Sequence, residues 1–142
     1  MAKNNSLIQS YLFFEGRCEE AIEFYKRALG AEVGMLMRFK DSPERPPGMA
    51  PGSENKIMHA QVTIGQSVVL MSDGQCSGRA GFSGFQLSLT SPSESEAEKQ
   101  FAALADGGKV MMPLAKTFFA SKFGMLEDKF GVGWMVIARP ES

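Results

Sequence analysis

Residues 21–33, AIEFYKRALGAEV, and residues 97–110, AEKQFAALADGGKV, decide the fold. The two stretches share little identity but follow the same pattern. Each has apolar residues at helical spacing, then glycine, then a β-prone run. In the first, Ala21, Ile22, Tyr25 and Leu29 lie on one face and Gly30 closes the helix. Glu19, Glu20 and Glu23 come early and Lys26 and Arg27 late, the order that complements a helix dipole. In the second, Phe101 and Leu104 are the apolar positions, Ser91 or Ser93 caps the start, and Gly107-Gly108 ends it.

The surroundings of the two helices match as well. LIQSYLFF (7–14) precedes the first helix as a strand, AEVGMLMRF (31–39) follows it, and HAQVTIG and SVVLMSD form a hairpin turning at Gly65-Gln66. Around the second helix stand GFQLSLT (84–90), with Phe85, Leu87 and Leu89 on one face, then KVMMPL (109–114). The hairpin FGMLEDKFGVGWMVIARP (123–140) follows, turning near 129–133. Strand, helix, strand, strand, strand occurs twice, a duplication in order. The expectation is one α+β domain over 1–142, made of two paired βαβββ modules, 7–75 and 82–140. Their curved mixed sheets would enclose a cleft. The glycine-rich CSGRAGFSG (76–84) joins them. KDSPERPPGMAPGSENK (40–56) is dense in Pro, Gly and Ser, and reads as a long loop without a regular element, a flap over a site or a solvated segment.

Composition sets further bounds. The chain has 142 residues, 44% of them hydrophobic, which suffices for one core. A formal net charge of −1 argues against a nucleic-acid partner. No apolar run approaches the ~18 residues of a membrane span. MAKNNSLIQ lacks the apolar centre of a secretory signal. Cys18 and Cys76 fit no disulfide framework, zinc motif or redox motif, so a reduced, cytoplasmic protein is expected. Ten methionines and eleven phenylalanines are many for this length. They fill a core or line an adaptable binding surface.

His59 is the only histidine, at a strand start in IMHAQVTIG. One imidazole cannot build a site of three or four metal ligands. It remains a candidate for ligand binding or for acid–base work, since an unperturbed imidazole titrates near neutral pH, or it is a strand-end residue bonded to a carbonyl. Asp73 and Asp128 stand where aspartate most often holds a turn. No GxGxxG, P-loop or GxSxG is present.

GRCEEAIEFYKRALGAEV, IMHAQVTIGQSVVLMSDG, GFSGFQLSLT and TFFASKFGMLEDKFGVGWMV together resemble, in order, the landmarks of the PhnB-like branch of the vicinal-oxygen-chelate superfamily. That superfamily includes glyoxalase I, bleomycin- and fosfomycin-resistance proteins and extradiol dioxygenases. The likeness runs from about Leu7 to Arg139. The branch carries a demethylubiquinone methyltransferase-like label, but nothing here resembles a glycine loop for S-adenosylmethionine. The resemblance implies four metal-ligand positions, which fall at Ser10, at Leu70 or Met71, at Gly84 or Phe85, and at Met135. None is a ligand for a divalent metal. It also implies that TFFASKFG approaches the cleft of the second half, with Phe119 where relatives usually carry Trp.

The resulting expectation is a metal-free, cofactor-free binder of a hydrophobic or aromatic small molecule, of the bleomycin-resistance type. His59, Met71, Phe85, Phe118, Phe119, Phe123 and Trp134 would line its site. His59 is the one catalytic candidate. A homodimer is expected, with neither nucleic acid nor membrane as partner. The alternatives are a metal-dependent or His59-assisted lyase or dioxygenase, and a structural dimer without cleft chemistry.

Overall fold

A computed structural model describes residues 5–43 and 51–139. Among the described residues the chain is α+β, with two four-stranded mixed sheets and two α-helices. Its elements are β1 (Tyr11–Phe13), α1 (Cys18–Leu29), β2 (Glu32–Arg38), β3 (Ile57–Ile64), β4 (Ser67–Ser72), β5 (Leu87–Ser91), α2 (Glu94–Ala105), β6 (Lys109–Ala115), β7 (Lys122–Glu127) and β8 (Gly133–Ala138). The chain divides into two compact units. One takes the described residues of 1–22 and 31–79, the other those of 23–30 and 80–139. The division falls within α1, so Glu23–Gly30 belongs with the second sheet.

Each sheet has the same topology. The orders are β1-β4-β3-β2 and β5-β8-β7-β6. The first strand pairs parallel with the last, and the other neighbours are antiparallel. A parallel neighbour requires a crossover, and the helix in each repeat provides it. The 40–56 stretch differs from the expected loop. Short 3-10 turns occur at its start, Phe39–Asp41, and at Ser53–Asn55, while 44–50 lies outside the described residues.

In the first unit a single carboxylate ties distant segments together. Asp73 is fully buried. Its Oδ1 accepts from the amides of Gly16 and Cys18, each at 2.8 Å, and its Oδ2 accepts from the Ile57 amide at 2.8 Å. Asp73 N–H in turn donates to Ile57 O at 2.8 Å. The Cys18 amide is the first of α1, whose first amides have no partner within the helix, and the Gly16 amide lies in the turn just before it. Asp73 thus caps α1 from a position 55 residues away from Cys18. The turn beyond it is tight. Gly74 has φ +56°, and a Cβ there would meet Glu15 Oε2 at 2.0 Å. The Glu15 carboxylate must stay close because it accepts from the Ser77 amide at 3.0 Å.

In the second unit α2 is capped locally. Ser93 accepts from the Glu96 amide at 3.1 Å, and Ala97, Phe101 and Leu104 form the buried stripe. That stripe packs on β7 and β8. Gly124 permits the approach, since a Cβ there would lie 2.8 Å from Phe101 and 3.0 Å from β6 backbone. Asp128 is 3% exposed and also has several donors. Phe130 and Val132 amides, Tyr25 Oη at 2.5 Å and Trp134 Nε1 at 2.9 Å all donate to it. Trp134, 3% exposed, is therefore a core residue with a structural bond.

Asp73→Ala should leave three buried amides without acceptors and lower stability by about 3 kcal/mol, with Asp73→Asn costing about half as much because one carbonyl oxygen remains. Urea unfolding followed by far-ultraviolet circular dichroism measures both. Equal and negligible losses would contradict the capping role.

Candidate functional site

The alternation of the strands sorts each sheet into two faces. In the first sheet Leu12, Ala60, Val62, Val69 and Met71 are buried. The other face carries Tyr11, Phe13, Met35, Met37, His59, Gln61 and Leu70. One cross-strand row reads Met35, Gln61, Leu70, Tyr11. Met37 stands opposite His59. Phe13 is 47% exposed, Met35 40% and Tyr11 37%, while His59 is half-buried. Met71, expected in the site, lies 1% exposed on the core face, and Leu70 occupies the open face instead. A register shift of one residue exchanges the two faces.

The polar centre of this face joins two strands that are not neighbours. Tyr11 on β1 reaches across β4 to His59 on β3, its Oη 2.8 Å from His59 Nδ1. The two rings are 5.5 Å apart and tilted. On its other side Tyr11 stacks on Phe13, with centroids 4.8 Å apart and planes 15° from parallel. Phe13, Tyr11 and His59 thus form one continuous aromatic strip. Burial pushes the Tyr11 phenol pKa up, so it stays protonated near neutral pH. Considering His59 by itself in the sequence misses Tyr11. The signal is that β1 and β3 flank a common neighbour, which brings a tyrosine on one within reach of the other.

The open face of the second sheet is similar in kind. Its rows are Met112, Met125, Met135, Ser88 and Ala115, Phe123, Ile137, Thr90. Phe118, Phe119 and Phe123 form an edge-to-face ladder with spacings of 5.2 and 5.1 Å. Phe118 is 99% exposed and Phe119 49%. Beside Phe118 lies a groove of about 480 Å³, also walled by Lys116, Lys122 and Glu94. Phe85, expected on the face of its strand, precedes β5 and is 46% exposed.

These residues do not fit a divalent metal. Of the implied positions, Ser10 offers a hydroxyl, Leu70 a hydrocarbon and Met135 a thioether, and Gly84 and Phe85 lie before β5. Zinc and its neighbours in the series take imidazole, carboxylate or thiolate in numbers. Among the described residues no three of His, Cys, Asp and Glu gather as a ligand set. Asp73 and Asp128 have their oxygens committed to several donors each, which makes them structural acceptors. No helix among the described residues is long and apolar enough to cross a membrane.

Comparisons with known proteins agree with this architecture. The family described as 3-demethylubiquinone-9 3-methyltransferase matches residues 6–137. Protein YjdN of Escherichia coli is 40% identical over 136 residues, 91% of this chain and 92% of that protein. The solved structure of protein PA1353 from Pseudomonas aeruginosa is 41% identical with a TM-score of 0.82, covering 96% of this chain and 100% of that one. A PhnB protein from Bacillus cereus, described as a putative 3-demethylubiquinone-9 3-methyltransferase, is 30% identical with a TM-score of 0.75, covering 94% and 99%. A glyoxylase/bleomycin resistance protein/dioxygenase domain from Frankia, 14% identical with a TM-score of 0.67 over 99% and 96%, shares the fold.

The surroundings of both thiols disfavour the thiolate, most of all at Cys18. Burial, then Asp73 and Glu19, drives the Cys18 pKa far up, and burial also raises that of Cys76. Cys18 is fully buried and Cys76 half-buried. With iodoacetamide under native conditions Cys76 should alkylate slowly and Cys18 at least about tenfold more slowly still, becoming reactive only on unfolding. A mass-spectrometric time course reads both rates.

Proposed function

The chain belongs to the 3-demethylubiquinone-9 3-methyltransferase family, PhnB-like proteins of glyoxalase/bleomycin-resistance fold, and from that premise we propose metal-free binding of a hydrophobic or aromatic small molecule. The observation that carries the reading is the open face of the first sheet. A face left to water alternates to polar side chains. This one presents Phe13, Tyr11, Met35, Met37 and Leu70 around the bonded Tyr11–His59 pair and the amide of Gln61. Apolar and thioether walls with few placed polar groups are the composition of a small-molecule site. The Phe118–Phe119–Phe123 ladder of the second sheet offers a surface of the same chemistry.

Methyl transfer, named in the family's description, finds no support in the sequence, which has no glycine-rich strand-to-helix turn to seat a methyl donor. A second reading, a lyase-type enzyme in which His59 moves a proton, draws on the same Tyr11–His59 pair. A second copy of the chain is part of the proposal. Edge strand β6 leaves Val110, Met111 and Met112 between 42% and 54% exposed, an apolar edge of the kind that pairing covers.

1-Naphthol, as an aromatic probe, should bind, and Phe13→Ala and Met35→Ala should each weaken it by about five- to tenfold, with Val110→Ala without effect. Calorimetric titration decides this, and undiminished binding by both face variants would move the site elsewhere. Added zinc, nickel, manganese or iron should leave the melting temperature unchanged, since a metal that bound the native state would raise it. Equilibrium sedimentation should give twice the chain mass.

A further inference from the structure

Two hydrogen-bond arrangements satisfy the Tyr11–His59 distance. The phenol donates to Nδ1, or Nδ1–H donates to the phenol oxygen. They differ in what His59 presents at its other nitrogen, because the bond at one ring nitrogen fixes the tautomer. Phenol, with a pKa near ~10, is a far better acid than a neutral imidazole N–H, and an imidazole nitrogen is a better base than a phenol oxygen. The first arrangement is therefore favoured. Its requirement, a protonated phenol, is met because burial raises the Tyr11 pKa. The Ser72 hydroxyl beside Tyr11 does not compete for the phenol proton, since its hydrogen bond there acts to lower the Tyr11 pKa, the effect of a hydroxyl that donates to the phenol oxygen. With the Nδ1 lone pair occupied by the phenol proton, His59 carries its hydrogen on Nε2, for which no partner is found among the described residues.

We infer that Tyr11 locks His59 as a hydrogen-bond donor through Nε2–H, so that this face selects a planar aromatic ligand bearing an acceptor, an aryl ketone or related carbonyl compound. The inference rests on the binding reading given above and adds the polarity of the ligand. The aromatic ring of such a ligand would lie against the Phe13–Tyr11 stack and Met35, with its oxygen on Nε2–H. In this arrangement Tyr11 is a positioning residue and His59 is the group that touches the ligand. It also removes His59 as a general base, because its free lone pair is spent on the phenol proton. A hydrocarbon of the same shape loses the acceptor and leaves Nε2–H dry beneath it, which costs affinity.

The chain has one histidine, so selective ¹⁵N-histidine labelling gives a single pair of ring signals. The wild-type protein at pH 8 should show a pyrrole-like Nε2 and a pyridine-like Nδ1. Tyr11→Phe, which keeps the ring and removes the donor, should convert this to a mixture of tautomers. A pyridine-like Nε2 in the wild type, or a pattern unmoved by Tyr11→Phe, overturns the lock. Acetophenone and ethylbenzene then test selectivity. Acetophenone should bind about fivefold more tightly and shift the Nε2 signal, and Tyr11→Phe and His59→Ala should both erase the preference. Equal binding by the two compounds overturns the acceptor inference and leaves the binding reading standing. Failure of both to perturb the Met35 and Met37 methyl signals overturns the binding reading, and the acceptor inference with it.

Discussion

One buried carboxylate, that of Asp73, ties the separate segments of the first unit together. The Asp73 carboxylate has no solvent, and a carboxylate in that position is tolerated only when donors surround it. Three backbone amides do so, and they come from the turn before α1, from the first residue of α1 and from the start of β3. The requirement works in both directions. Without the acid the helix start would have unsatisfied amides, and without the amides the acid would not be stable in the core. The site follows from this arrangement. With α1, β3 and the end of β4 tied at one point, β4 runs in register between β1 and β3. That register places Tyr11 and His59 on the same side of the sheet.

The second unit solves the same problem differently. Asp128 sits inside its own hairpin and gathers two amides of that turn, together with the indole of Trp134 and the phenol of Tyr25. Two aromatic residues with polar atoms can then be buried without an orphaned donor. The repeats thus agree in strand order and differ in the placement of the acid. Similarity of topology between them does not extend to the groups that hold each one together.

Much of the fold was legible because its signals are local. Ser93, Phe101 and Leu104 at turn spacing, and Gly107-Gly108 lie within one stretch of chain, and α2 appears where they indicate. Strand boundaries were less so. LIQSYLFF is β-prone over eight residues, but only Tyr11–Phe13 pairs in register with β4, with Ser10 and Phe14 each adding one bond to it, and Phe85 lies outside β5 because pairing begins at Leu87. The site was legible in composition and not in geometry. Methionine and phenylalanine counts point to an adaptable surface, and His59 is on it. Which of Leu70 and Met71 faces outward depends on the register, and the Tyr11–His59 bond joins residues 48 apart across an intervening strand. Neither follows from spacing alone. The capping by Asp73 is hidden for the same reason, since its donors lie 16 to 57 positions away.

The described methionines of the sheets divide into two populations with different chemical fates. Met71 is sealed in the core, while Met35 and Met112 are open to water and Met37, Met125 and Met135 are half-open. An oxidant reaches the second group first. Each sulfoxide replaces a soft, deformable thioether with a polar, chiral group. The sheet faces would become hydrophilic while the core sulfur stays reduced. Oxidation would therefore remove the greasy character of these surfaces before it loosened the fold.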